Sequence, residues 1–121
     1  MTKVIPVFRA FDRAKTIEFY VDWLGCTIEW EHSPENTPFY MRMSLRGAAF
    51  EVSEHHGECS PGARFTIEGF QGLATYHRQL IDKKYTFNRP GLQHVEWDPA
   101  TLEMTVIDPF YNRIIFNEKI S

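Results

Sequence analysis

The side chains best suited to acid–base, nucleophilic or metal chemistry are concentrated in one segment near the middle of the chain. They are Glu51, Glu54, His55, His56, Glu58 and Cys59. Carboxylates, imidazoles and thiolates are the groups that proteins offer to zinc. The spacing here matches no zinc pattern, however, and adjacent histidines in a loop with glycine and proline point apart into water. The segment therefore favours surface roles over a metal site.

No nucleophile and base stand at a recognisable spacing elsewhere in the sequence. Ser53 and Cys59 have no visible partner, and neither a GxSxG elbow nor a glycine-rich phosphate loop occurs. His32, His77 and His94 are isolated, and each is expected to have a surface or core role.

Aromatic side chains are the second group of residues that could bind a ligand, because they are unusually frequent in this sequence. Ten Phe, five Tyr and three Trp make up 15% of 121 residues. One interpretation is a core rich in aromatic residues, and the other is a cleft in which rings stack on flat ligands. Composition leaves both open.

Charge and cysteine content exclude several partners and compartments. The net charge is -3 and Lys and Arg are scattered, whereas nucleic-acid binding needs a concentrated basic face. No apolar run is long enough for a signal peptide or a membrane span. Cys26 and Cys59 form no CxxC pair. We therefore expect a cytoplasmic protein with free thiols and no nucleic-acid or membrane partner.

The first half of the sequence predicts one helix and four strands. A strand over residues 4–10 is interrupted by Pro6, which either places the strand at a sheet edge or bends it there. Asp12 is a good N-cap for a helix over residues 13–24, with Ile17, Tyr20, Val21 and Leu24 on its apolar face. Strands are predicted over residues 27–31, 39–45 and 48–54, the last two joined by a tight Arg46-Gly47 turn.

The second half repeats this order after a loop over residues 55–62. A strand over residues 64–68 precedes a helix over residues 73–84, and further strands are predicted near residues 86–88, 103–107 and 113–117. The sequence thus predicts an α+β fold of paired βαβββ modules, about residues 3–56 and 63–118, in one domain spanning residues 1–121. Such modules would form two curved sheets with helices outside and a cleft between.

Alternation along two strands predicts which side chains line that cleft. Phe39, Met41, Met43 and Leu45 share the face toward the helices. Tyr40, Arg42 and Ser44 share the opposite face, as do Glu51 and Ser53 on the next strand. One interpretation is that the polar faces line a pocket, and the alternative is a plainly solvated sheet face.

Several short motifs together resemble one known family. Residues 5–12, then Ile17-Glu18-Phe19-Tyr20, then Trp23-Leu24-Gly25 resemble the opening of the glyoxalase and bleomycin-resistance proteins. Asp108-Pro109 with Asn112 and Phe116 resembles their closing hairpin. The resemblance covers nearly the whole chain and implies the vicinal oxygen chelate fold, in agreement with the predicted element order.

Enzymes of that superfamily carry a metal ion on four inward-facing strand positions. Here the matching positions hold Ile5, Glu51, Ala63 and Ile115. One carboxylate out of four ligands cannot hold a divalent ion. The resemblance therefore implies a non-enzymatic protein with no catalytic residues, metal or cofactor. The alternatives are a metal-dependent lyase or dioxygenase of the same superfamily, or a binder of a different aromatic ligand.

The bleomycin-resistance proteins bind their drug unaltered, in clefts at a dimer interface lined by aromatic and acidic groups. The resemblance assigns cleft positions to Glu29, Trp30, Tyr40, Ser53 and Trp97. Glu51 and Glu103 add carboxylates for amines, since carboxylate pairs and aromatic faces suit a flat cation. The implied function is sequestration of a bulky, aromatic, cationic antibiotic.

Three residues qualify that implication. In these relatives the first strand crosses to the partner subunit at a proline, so Pro6 is compatible with a strand-swapped homodimer or with an ordinary edge strand.

Tyr111 stands where relatives carry glycine and must adopt another turn or bear strain. Arg64 replaces a groove aromatic. It would repel a cationic drug unless it stacks or pairs with Glu51, and it would favour a ligand with an acidic group.

Overall fold

The computed structural model describes residues 2–35 and 37–120. Two compact units are present, one formed by Met1–Ala63 with Asp108–Asn112 and the other by Arg64–Ile107 with Arg113–Ser121. Each unit contains one four-stranded mixed sheet. The paired β-α-β-β-β order predicted from the sequence is confirmed.

The first unit has the sheet order β1-β4-β3-β2, and β1 pairs with β4 in parallel. Its elements are β1 (Val7–Arg9), α1 (Arg13–Thr16) with a following π-helical segment (Ile17–Trp23), β2 (Thr27–His32), β3 (Tyr40–Leu45) and β4 (Ala48–Ser53). The second unit has the order β5-β8-β7-β6. Its elements are β5 (Arg64–Ile67), α2 (Leu73–Asp82), β6 (Leu92–Val95), β7 (Asp98–Ile107) and β8 (Arg113–Lys119).

The first helix begins as predicted but does not continue as an α-helix. The Asp12 side chain accepts from the Lys15 amide at 2.9 Å, which makes it the N-cap. From Ile17 the helix widens, and the Leu24 amide donates to the carbonyl of Phe19 five residues earlier. The wider turn rotates the buried face, so Phe19 and Trp23 are buried while the predicted Ile17 and Val21 are only partly buried.

The hairpin between β3 and β4 follows its sequence signature. Arg46 and Gly47 both have positive φ, at 51° and 87°, and this pair of conformations matches the twist of the flanking strands. The predicted inward set is also confirmed, because Phe39, Met41 and Met43 are at most 1% exposed.

One predicted strand was wrong. Residues 86–88 form a turn after α2, and the sixth strand is Leu92–Val95 instead. Lys84, two residues after the end of α2, has a positive φ of 54°, and the residues from there to Gly91 form the connection to β6. β7 also begins earlier than predicted, at Asp98. Pro99 is compatible with this start, because a proline near the beginning of a strand is tolerated without its N–H.

The turn Asp108–Asn112 belongs to the first unit although strands of the second flank it in sequence. The Tyr20 hydroxyl donates to the Asp108 carboxylate at 2.6 Å, and the Asn112 side chain donates to the Arg9 carbonyl at 2.7 Å. Tyr111 takes the strained alternative, with a φ of 70°. In the described part of the chain, no helix is long and apolar enough to cross a membrane.

Candidate functional site

The first sheet has one face that carries polar and aromatic side chains from three strands. Tyr40 and Arg42 project from β3, and their cross-strand partners on β4 are Ser53 and Glu51. Trp30 of β2 stands opposite Arg42. We call this surface the open face of the first sheet. It unites four of the residues predicted to bind a ligand, Trp30, Tyr40, Glu51 and Ser53, with Arg42, which was predicted to share their face.

The aromatic part of the open face is a stacked pair. The rings of Trp30 and Tyr40 are nearly parallel, at 6°, with centroids 5.8 Å apart. The Arg42 guanidinium lies 5.6 Å from the Trp30 ring, within the range of a cation–π contact. Trp30 stays 44% exposed, so its indole retains surface for a further flat partner.

A β-bulge explains how two consecutive residues, Glu29 and Trp30, serve the same face. Strict alternation would send them to opposite sides of the sheet. The register between β2 and β3 shifts between Ile28 and Trp30. Glu29 then accepts from the Ser44 hydroxyl while Trp30 stacks on Tyr40, and Ser44 and Tyr40 lie on one face of β3. The bulge re-aims a side chain, as bulges commonly do near binding sites.

Glu51 is the one acidic residue among the four positions that match the metal ligands of the superfamily enzymes, and its charge is balanced by Arg42. One carboxylate oxygen accepts from the Tyr40 hydroxyl, and the other accepts from Arg42 at 2.9 and 2.7 Å. Glu51 is 8% exposed. Burial, followed by the hydrogen bond to Glu51, raises the pKa of the Tyr40 phenol. The sequence suggested Glu51 as a partner for an amine, but Arg42 already fills that role.

Ser53 is also engaged. Its hydroxyl donates to the carboxylate of Glu58 and accepts from the His55 amide at 3.1 Å. Ser53 is 0% exposed. The sequence indicated Glu58 only as part of the His/Glu/Cys segment, so its hydrogen bond to Ser53, a residue predicted to bind a ligand, was missed.

The candidate metal positions do not assemble into a cluster in the described residues. No group of three or more His, Cys, Asp or Glu side chains among residues 2–35 and 37–120 is placed to hold an ion. Of the four inherited positions only Glu51 carries a metal-binding side chain.

The second unit contains a groove of about 870 Å³. It is lined by Glu68, Gly69, Gln71, Val95, Trp97, Asp98, Thr101, Glu103, Asn117, Glu118 and Lys119. Trp97 lies in the short turn that joins β6 to β7 and is 84% exposed. Glu103 of β7 stands opposite Asn117 of β8. The groove therefore unites Trp97 and Glu103, two of the three residues that the second half was predicted to contribute, and Arg64 is not part of its lining.

The charges in this groove are unevenly compensated. Lys119 pairs with Asp98 at 3.2 Å, and hydrogen bonds from Thr101 and Lys119 lower the pKa of Asp98. Glu118 accepts from the first amides of α2, at Gly72 and Leu73. The side chains of Glu68 and Glu103 have no hydrogen-bond or ion-pair partner among the described residues. Two carboxylates thus remain open beside an exposed indole.

Arg64 begins β5 and is exposed. It belongs to the second unit and Glu51 to the first, so their pairing stays a prediction.

Comparison with known families adds to this geometry. A family model described as glyoxalase superfamily protein matches residues 1–121. The chain belongs to the glyoxalase superfamily. No curated protein matches it.

Solved structures with this superfamily fold include proteins named for drug binding. A bleomycin-binding protein complexed with bleomycin superposes with a TM-score of 0.71 at 16% identity, over 98% of this chain and 99% of that one. A bleomycin resistance determinant encoded on the transposon Tn5 gives 0.74 at 16% identity, over 98% of both chains. TnmS3, an antibiotic binding protein from Streptomyces sp. CB03234, gives 0.67 at 15% identity, over 98% and 97%. At these identities the likeness shows the fold.

Proposed function

We propose that this glyoxalase superfamily member is a non-enzymatic binding protein that sequesters a bulky, aromatic, cationic compound of the bleomycin type. One observation carries the proposal. The exposed indole of Trp97 lines a groove in which the carboxylates of Glu68 and Glu103 have no hydrogen-bond or ion-pair partner among residues 2–35 and 37–120. An aromatic face beside open carboxylates suits a flat cation, which stacks on the ring and pairs with the acid.

The open face of the first sheet supports the same class of ligand. Trp30 and Tyr40 provide a second flat aromatic surface, and Trp30 is 44% exposed. Proteins of the same fold named for binding bleomycin or another antibiotic support the choice of ligand.

Chemistry at the inherited metal positions supports binding rather than catalysis. Ile5, Ala63 and Ile115 offer no ligand atoms on their side chains, and Glu51 is engaged by Arg42 and Tyr40. Purified protein should therefore bind its ligand after exhaustive chelation. Stoichiometric nickel, zinc, iron or manganese by elemental analysis, with binding or turnover lost on chelation, would favour a metal-dependent lyase or dioxygenase instead.

We further propose that the protein is a cytoplasmic homodimer with the clefts at its interface, in which the first strand is either swapped to the partner or kept as an ordinary edge strand. β1 has only three residues, and the preceding Pro6 uses its carbonyl, not its missing N–H, to accept from the Glu51 amide at 2.9 Å. This pairing tolerates proline at the strand entry. Cys26 and Cys59 are free, as a reducing compartment requires. Sedimentation equilibrium tests the dimer, and a monomer at micromolar concentration would exclude it.

The decisive experiment is a bleomycin titration followed by tryptophan fluorescence and calorimetry. We expect quenching that saturates at about one drug per chain, with Trp97→Ala weakening binding about tenfold or more because a stacked aromatic and its buried area are lost. Phe87→Ala is the matched control, since Phe87 is 77% exposed and outside the groove lining. No quenching and no heat would remove bleomycin as the ligand.

A ligand with an acidic group is the second candidate, and exposed Arg64 is the observation that favours it. A thermal-shift screen of matched cationic, neutral and anionic aromatic compounds separates the two candidates, because a ligand that binds only the folded state raises the melting temperature.

A further inference from the structure

The hydroxyl of Ser53 lies at the end of β4, and its one proton is already used in a hydrogen bond. It donates to the Glu58 carboxylate and accepts from the His55 amide. It is 0% exposed, although the face on which it lies carries the exposed ring of Trp30. A ligand that uses Ser53 must therefore first displace what covers it.

The covering group comes from the loop after β4. Glu58 lies in the turn that follows His55, and its amide makes a long bond of 3.5 Å to the His55 carbonyl. Two glycines with left-handed backbones, Gly57 at 89° and Gly62 at 84°, lie on either side of it. The His55 ring packs 6.4 Å from the ring of Tyr40, so the start of the loop contacts the open face.

The Glu58 carboxylate has fewer contacts than that of Glu51, which is held by both Tyr40 and Arg42. Its side chain is exposed apart from the bond to Ser53. Most residues of this loop are exposed, and among the described residues the Glu58 carboxylate makes its one side-chain hydrogen bond, so the loop beyond His55 opens at low cost because little buried area is lost. This hydrogen bond is then the anchor that decides whether the loop after His55 lies on the face or away from it.

We propose that Glu58 is an internal occupant of the ligand site, and that the loop over residues 55–62 is a latch that closes the Ser53 end of the open face until a ligand displaces this carboxylate. A hydrogen-bond acceptor on the ligand takes the Ser53 proton in place of Glu58, and the loop turns away about Gly57 and Gly62. The proposal rests on the proposed binding function, and it assigns a regulatory role to a carboxylate that would otherwise serve as one more acidic contact.

The two roles of Glu58 predict opposite effects on affinity. If Glu58 competes with the ligand, Glu58→Ala tightens bleomycin binding by about tenfold, because a charge-assisted hydrogen bond no longer has to be broken. Glu58→Gln tightens it less, since the amide still accepts. If Glu58 instead pairs with a cationic group of the drug, both variants weaken binding, and the latch is wrong.

A double-mutant cycle isolates the contact. Bleomycin affinity is measured for the natural chain, Glu58→Ala, Ser53→Ala and the double variant. With the latch, Glu58→Ala tightens binding in the natural background and has no effect once Ser53 is alanine. Equal effects in both backgrounds would overturn it. Glu18→Ala, which removes one exposed negative charge elsewhere in the same unit, should leave the affinity unchanged.

A ligand-free readout separates failure of the latch from failure of the proposed function. Cys59 lies in the loop beside Glu58, and Cys26 is buried in the core of the same unit. Ser53→Ala cuts the anchor but retains the Glu58 charge, so it should speed maleimide labelling of Cys59 several-fold while Cys26 stays unlabelled. An unchanged labelling rate overturns the latch whether or not bleomycin binds. Faster labelling without any bleomycin binding keeps the latch and overturns the drug.

Discussion

Tyr111 has a backbone conformation that favours glycine, in a turn whose Asp108 and Asn112 side chains are hydrogen-bonded. Its φ is 70° and its side chain is 77% exposed. The turn persists because Asp108 accepts from the amides of Phe110 and Asn112, both at 2.8 Å. The sequence identified both possible outcomes at this residue, but the turn is also held by the hydrogen bonds from Tyr20 to Asp108 and from Asn112 to Arg9, which join residues far apart in the chain.

Replacing Tyr111 by glycine should stabilise the protein. The left-handed conformation costs a non-glycine residue about 1–2 kcal/mol, and glycine loses part of that gain to unfolded-state entropy. We expect Tyr111→Gly to exceed Tyr111→Ala in unfolding free energy by about 0.5–1 kcal/mol in urea titrations, since both remove the exposed ring and only one removes the strain. Equal stability of the two variants would contradict the argument.

A second residue-scale prediction concerns alkaline pH. Burial raises the pKa of the Cys26 thiol to about 12, above its ordinary value near 9. A raised folded-state pKa gives stability that is complete below the ordinary value and is lost as pH rises toward the folded one. The unfolding free energy of the natural chain should fall relative to Cys26→Ala between about pH 9 and 12, by at most about 1.4 kcal/mol per pH unit.

The control for this titration is Cys59→Ala. Cys59 is only partly buried, and desolvation raises its pKa less than burial raises that of Cys26. Its removal should therefore alter the alkaline slope less. Urea titrations at pH 8, 9.5 and 10.5 measure the difference, and parallel curves for the natural chain and Cys26→Ala would refute it.

At the scale of the elements, the sequence predicted the turns and helix caps that depend only on neighbouring residues. The Arg46-Gly47 hairpin and the N-cap Asp12 were predictable because turn and cap chemistry lies within a few residues. The π-helical segment was not, because the apolar spacing of Ile17, Tyr20, Val21 and Leu24 also fits an ordinary α-helix. The bulge beside Trp30 was equally hidden, because a register shift leaves no mark in the alternation of a short strand.

The strand pair β3–β4 supplies the prediction at this scale. Arg42→Met leaves the Glu51 carboxylate, which is 8% exposed, without its cation. Breaking one side of a buried ion pair costs about 3–5 kcal/mol, and somewhat less is expected here because Arg42 is partly exposed. Adding Glu51→Met should restore most of the loss. Chemical denaturation of the two single variants and the double variant measures the coupling, and additive losses would contradict it.

At the scale of the whole molecule, the two units differ in how their carboxylates are compensated. The first sheet pairs Glu51 with Arg42, whereas the groove of the second unit leaves Glu68 and Glu103 open. Composition gave a net charge of only -3, which did not indicate this contrast. The sequence placed Trp97 and Glu103 among the ligand residues but could not tell which carboxylates would stay unpaired, because partners come from other strands.

This contrast predicts where cation selectivity resides. Glu103→Gln should weaken bleomycin binding about tenfold, since hydrogen bonds to charged groups contribute about 1.5–3 kcal/mol. The loss should shrink at high salt through screening. Asp82→Asn, which removes an exposed charge at the end of α2, is the matched control. Calorimetric titrations at two salt concentrations measure both, and an equal effect of the two substitutions would place selectivity elsewhere.

The turn Asp108–Asn112 makes the first unit discontinuous along the chain. Tyr20, Arg9 and the Ala63 amide all take hydrogen-bond partners from it. A gene fragment ending at Ala63 would encode every strand of that sheet and still leave these three groups unsatisfied. Each module has a complete set of strands, so the two modules look separable at Ala63. A fragment or recombinant that ends there must nevertheless include the five residues Asp108–Asn112, which come from the second half of the sequence, to complete the first unit.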